Sequence, residues 1–140
     1  MRRIAITASM LSLLAGGALA QSGPPTKPWD LRKAQAFSNI CLSQETGDAR
    51  GLRVFLQAPG AKPLVVTQVA EGAPMAPQAA SGASVTGTAV SFTTAGGETF
   101  RGTLSDKALT LSSKRVAKLV LHRRSDAKGF PVCTGAEGQS

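Results

Sequence analysis

Apolar and polar positions alternate through the second half of the chain. Thr88 to Thr94 sets Val90 and Phe92 on one side, and Glu98 to Leu104 sets Phe100 and Leu104 opposite Thr99, Arg101 and Thr103. Gly96-Gly97 lies between them and supplies a tight turn that tolerates positive φ, so the two segments predict a hairpin. Ser105-Asp106-Lys107 is the next turn signal, and Ala108 to Ser112 is a third strand with Leu109 and Leu111 inward. Ser113-Lys114 then leads into Val116 to Arg123, where Ala117, Leu119 and Leu121 alternate with Lys118, Val120 and His122. The whole reads as a four-strand antiparallel meander with one buried and one wet face.

The first half is patterned differently. Leu31, Ala34, Phe37, Ile40 and Cys41 recur at three- and four-residue spacing after Asp30, which predicts an amphipathic helix of about three turns with Asp30 as N-cap. The segment 51–57 fits two readings. Leu52, Val54 and Leu56 alternate as in a strand, whereas Leu52, Phe55 and Leu56 suit a short helix. Pro63 to Val69 is β-branched and predicts a strand, while 70–87 is small, nearly uncharged and without a large apolar period, as expected of a long loop. Phe130 to Cys133 is expected to add an edge strand or a docked tail.

These elements predict an α+β domain in which the N-terminal amphipathic helix packs on the antiparallel β-meander, closed by one disulfide. A small β-barrel-like sheet with the helix as a plug is the alternative. The expected organisation is a signal peptide at 1–20, an exposed arm at 21–28, a single domain at 29–134 and a frayed tail at 135–140. The signal peptide rests on Arg2-Arg3, an apolar stretch from Ile4 to Leu14 and the small-residue site Ala18-Leu19-Ala20. Gly16 and Gly17, followed by Gln21-Ser22-Gly23-Pro24-Pro25, end the run too early for a spanning helix, so no transmembrane span is expected after cleavage.

Composition sharpens this picture. The chain has 140 residues, 42% of them hydrophobic, with 16 Lys and Arg against 8 Asp and Glu. Its mean hydropathy of +0.02 is too apolar for a disordered tail. Cleavage after Ala20 removes two arginines and takes the net charge from +8 to +6. Export to the periplasm or the medium sets the redox state of Cys41 and Cys133, which are expected to form a structural disulfide. Their spacing is not that of a redox C-x-x-C pair, and with one histidine in the chain no four-ligand zinc set is available.

Candidate catalytic chemistry is sparse. His122 lies in an alternating strand beside Arg123 and Arg124, the setting of a surface strand residue rather than a general base. Gly82-Ala83-Ser84-Val85-Thr86-Gly87 is not G-x-S-x-G, since its second glycine comes one residue late. The acids fall mostly in turns, and no glycine-rich loop matches a phosphate-binding fingerprint. No enzyme activity, metal or cofactor is therefore expected.

Charge is the feature most able to carry function. Lys114, Arg115, Lys118, Arg123, Arg124 and Lys128 crowd one stretch against Asp126 alone; on a strand Lys118, His122 and Arg124 share one face, and Arg101 and Lys107 on neighbouring strands or turns can join them. Such a face suits an anionic lipid or polymer of the cell envelope, or an acidic secreted protein. Edge-strand protection against aggregation explains the same cations without a ligand. Nucleic acid is disfavoured, because export separates the protein from it and no aromatic interleaves with the cations. An amphipathic helix over 113–124 lying on a membrane surface is a second arrangement of the same residues. An inhibitor or accessory subunit of a secreted or periplasmic protein, using 70–87 as a flexible contact, is the alternative role.

Ala80-Ser81-Gly82-Ala83-Ser84, which follows a cysteine and strands, is loosely similar to the S-x-S-G-A motif of periplasmic inhibitors of C-type lysozyme. Ala79 stands where the motif has its first serine, and no aromatic follows. The likeness covers a few residues, and a protein of net charge +6 would meet a cationic lysozyme with repulsion.

Overall fold

The computed structural model describes residues 34–58, 62–125 and 129–134. The signal peptide, the arm, Asp30, Asp126, Lys128 and the tail at 135–140 lie outside the described residues. Ten strands are present and, among the described residues, no helix: β1 Gln35–Ser38, β2 Cys41–Leu42, β3 Ala49–Gln57, β4 Leu64–Pro74, β5 Gln78–Ala79, β6 Ser81–Thr86, β7 Ala89–Thr93, β8 Thr99–Leu104, β9 Ala108–Ser112 and β10 Leu119–Arg124. They form one antiparallel sheet in the order β5-β4-β3-β1-β10-β9-β8-β7-β6, with β2 paired to β3. β5 pairs with β4 and β6 with β7, and the two are joined through Ala80, whose amide donates to Val65 O at 2.9 Å. One continuous stretch therefore passes from the first edge of the sheet to the last and nearly closes a barrel.

The α+β expectation, and with it the helix as cover or plug, is overturned. The apolar residues assigned to one helical face go to different places. Phe37 enters the barrel interior, Ile40 joins Ala49 and Ala70 in a separate cluster, and Cys41 is in the disulfide. β1 lies between β3 and β10 with both faces covered: Phe37 points inward, while Ala36 packs outside with Phe55 and Val66. A strand buried on both faces is nearly continuous in apolar residues, and a helical period can be drawn through it by chance.

The expected loop at 70–87 is also corrected. β4 runs to Pro74, and β5 and β6 occupy most of the remainder. The inward positions of this seam are Ala80, Ala83 and Val85, all packed on the core, and they are too small to give a strong alternating signal. A register shift between Ser81 and Ser84 blurs the period further. The ambiguous 51–57 is strand, with Leu52, Val54 and Leu56 all inside.

The meander is present as β7 to β10. Its hairpin turn places Gly97 at φ 82°, where a residue without Cβ is favoured, and Thr94 N and Glu98 O close it at 2.9 Å. The last strand begins at Leu119 rather than Val116, because Ser113 Oγ accepts the amides of Arg115 and Val116 at 3.2 and 3.0 Å and folds 113–118 into a turn. Gly102, inward on β8, has no room for a side chain: a Cβ there would overlap the backbone of Thr110 and Leu111. A glycine here lets the backbones of β8 and β9 approach closely.

Phe37, Val54, Phe92, Leu109 and Leu121 fill the interior, and Phe92 and Phe100 stack with centroids 5.7 Å apart. The disulfide Cys41–Cys133 ties the C-terminal segment to β2. Leu42 N donates to Pro131 O and Cys133 N to Leu42 O, each at 2.8 Å, so 130–133 is a docked tail with a single parallel bridge, Leu42 to Val132. Phe130 then covers Ile40, Ala49 and Ala70 and receives the Arg53 guanidinium at 4.8 Å from its ring centre.

Candidate binding surfaces

Strand direction fixes two ends for the barrel. The turns at 75–77, 94–98 and 113–118 gather at one end, and those at 87–88 and 105–107 at the other. The first end is open. A cavity of about 740 Å³ lies there, within the range of small-molecule sites. Its floor is apolar, made by Leu52, Val69, Phe100 and Leu119, and its rim carries Arg50, Glu71, Glu98 and Arg115.

Inward rows of the strands build this polarity. Arg50, Leu52, Val54 and Leu56 alternate along β3, and opposite them Glu71, Val69, Thr67 and Val65 alternate along β4. A charged residue thus heads each row where the interior meets water. Asn39 shapes the wall beside them: its Oδ1 accepts the Leu52 amide at 2.7 Å. Thr67, buried within the row, donates from Oγ1 to Gln78 O at 3.5 Å. Glu98 Oε1 accepts the Ser113 hydroxyl, whereas Arg50, Glu71 and Arg115 form no ion pair among the described residues. Met75 sits on the rim, 52% exposed, with its carbonyl held by Gln68 Nε2 at 3.0 Å.

The cations singled out in the sequence divide into three places. Arg101, His122 and Arg124 face outward on β8 and β10, because Phe100, Leu119 and Leu121 face inward. Arg101 is opposite Ser112, one residue beyond the Leu111–Leu119 pair, and Lys118 is exposed immediately before β10. Lys114 and Arg115 belong to the turn at the open end, and Arg115 lines the cavity. Arg123 shares the inward row with Phe37 but emerges at the far end, where Nη1 donates to Asp106 O at 3.3 Å. Arg123 and Arg124 also border a smaller hollow of about 230 Å³ beside Arg53 and Phe130.

His122 lies across from Ser38 and Ala108. The Ser38 hydroxyl is buried and accepts the Ile40 amide at 3.0 Å, and no carboxylate is opposite the imidazole among the described residues. Among those residues no group of three or more His, Cys, Asp or Glu could hold a metal ion, and no helix is long and apolar enough to cross a membrane.

The alternation of apolar residues did not reveal the cavity, nor Arg50, Glu71 and Glu98 as its rim. The signal was available in the inward rows, since a charge at the end of an apolar alternation marks the lip of a barrel. Finding it required knowing that β3 and β4 are neighbours. Comparison with family models, curated proteins and solved structures returns no match.

Proposed function

We propose that the protein is an exported, non-catalytic binding protein whose outward cations on β8 and β10 engage an anionic component of the cell envelope. The observation that carries the reading is the charge distribution of this face. Arg101, His122 and Arg124 are exposed there, Lys118 is exposed immediately before β10, and the described carboxylates lie elsewhere: Glu45 and Asp48 around the β2–β3 turn, Glu71 and Glu98 at the open end, and Asp106 at the far turn. Arginine and lysine side chains held on a sheet attract an anionic surface within a Debye length of about 8 Å at physiological salt. The disulfide agrees with an oxidising compartment, and a periplasmic or secreted location completes the proposal.

The alternative role as inhibitor or accessory subunit loses the flexible loop on which it rested, because 70–87 is mostly strand. The test is sedimentation with vesicles containing anionic lipid, with lipopolysaccharide and with an anionic cell-wall polymer, over a range of salt. Binding that weakens with salt, and about tenfold or more in Lys118→Glu/Arg124→Glu, is the expected result. No binding to any of the three, or binding indifferent to both salt and charge reversal, would overturn the proposal.

A further inference from the structure

The barrel interior is filled unevenly. Toward the far end Phe37, Leu56, Val65 and Leu109 are buried to 2% exposure or less, whereas toward the open end Val69 and Leu119 stay half-buried around the 740 Å³ cavity. Water in contact with that floor gains few hydrogen bonds, so an apolar body is favoured in its place. Met75, an unbranched and adaptable side chain, stands exposed on the rim. The surrounding charges choose the other half of a ligand. Glu98 is already served by Ser113, and Glu71 lies across from Arg50. Arg50 and Arg115, both lining the cavity, have no ion-pair partner among the described residues. A guanidinium offers a planar fork of donors that matches a carboxylate or a phosphate.

We propose that the open end of the barrel binds one amphipathic anion, with an alkyl chain against Leu52, Val69, Phe100 and Leu119 and a carboxylate or phosphate head at Arg50 and Arg115. The site is separate from the outward face of β8 and β10, and neither reading depends on the other. Two arms identify the head group: dodecanoate and dodecyl phosphate, with dodecyltrimethylammonium as the cationic control. Each is titrated below its micelle concentration into the native, disulfide-bonded protein in a calorimeter.

The anions are expected to bind one to one, and the cation about tenfold or more weaker. Arg50→Glu/Arg115→Glu should weaken the anions about tenfold or more. Val116→Trp fills the mouth and should remove binding, and Ala95→Trp at the exposed lip does the same if the first variant fails to fold. Arg124→Glu should leave binding within about twofold, since that charge lies on the outer face toward the far end. The proposal is overturned by absence of stoichiometric binding, by equal affinity for the cation, by indifference to a folded filling variant, or by loss of binding in the outer-face variant.

Discussion

Replacing Gly102 by alanine adds one methyl group where the backbone of β9 lies close against β8. The new Cβ would sit 2.8 Å from the Thr110 carbonyl carbon and 2.9 Å from Leu111 Cα, and deeper still into Thr110 O, all of them backbone atoms. No rotamer change can relieve this, so the strands must part by about 1 Å, enough to weaken the flanking ladder bonds. Gly102 pairs with Leu111, between the Arg101–Ser112 and Thr103–Thr110 pairs. Losing two such bonds costs about 2 to 3 kcal/mol, and disturbing the packing of Val90 and Leu111 adds about 1 to 3. The lower chain entropy of alanine in the unfolded state returns about 0.4 to 1. The net expectation is a loss of about 2 to 6 kcal/mol.

Gly97→Ala is the control. Gly97 is at φ 82°, but the position a Cβ would take there has nothing within 4 Å, so its cost is conformational only, about 1 to 2 kcal/mol. Urea unfolding followed by circular dichroism measures both, with an unchanged slope required for the comparison. A Gly102→Ala loss no greater than that of Gly97→Ala would refute the close approach of the β8 and β9 backbones at this position.

Three further outcomes are expected. Cys41→Ser/Cys133→Ser opens a loop of sequence separation 92 and should lower unfolding stability by about 4 to 5 kcal/mol in the chain-entropy model, read as the urea midpoint of the variant against the oxidised protein. Phe92→Ala removes a buried ring stacked on Phe100 and should cost about 3 to 5 kcal/mol in the same assay. Asn39→Ala deprives the Leu52 amide of its 2.7 Å acceptor and should cost about 1 to 3 kcal/mol, with faster hydrogen exchange at Leu52 as the local signature.

The strands from Ala89 onward were legible because each has one wet face, and alternation is the direct record of that geometry. The disulfide was legible from an even pair of cysteines combined with the expected export signal. β1 was misread because it is covered on both sides, by the interior around Phe37 and by the Ala36, Phe55 and Val66 cluster outside. β5 and β6 were missed because a closing seam can be built from alanine and serine, which carry little period. The cations clustered in the sequence are split in space: Arg115 reaches the open end, Arg123 the far end, and Arg124 the outer face.

Local features were written into the order of residues: which of them turn, which alternate, where the basic charge accumulates and which cysteines can pair. These follow from neighbours within a few positions along the chain. It took the folded arrangement to place β1 between β3 and β10, to bridge the two sheet edges through Ala80, and to bring Arg50, Glu71, Glu98 and Arg115 together above an apolar floor. Strand pairing is set by burial summed over residues far apart in the chain, so no single segment of the sequence carries a record of it.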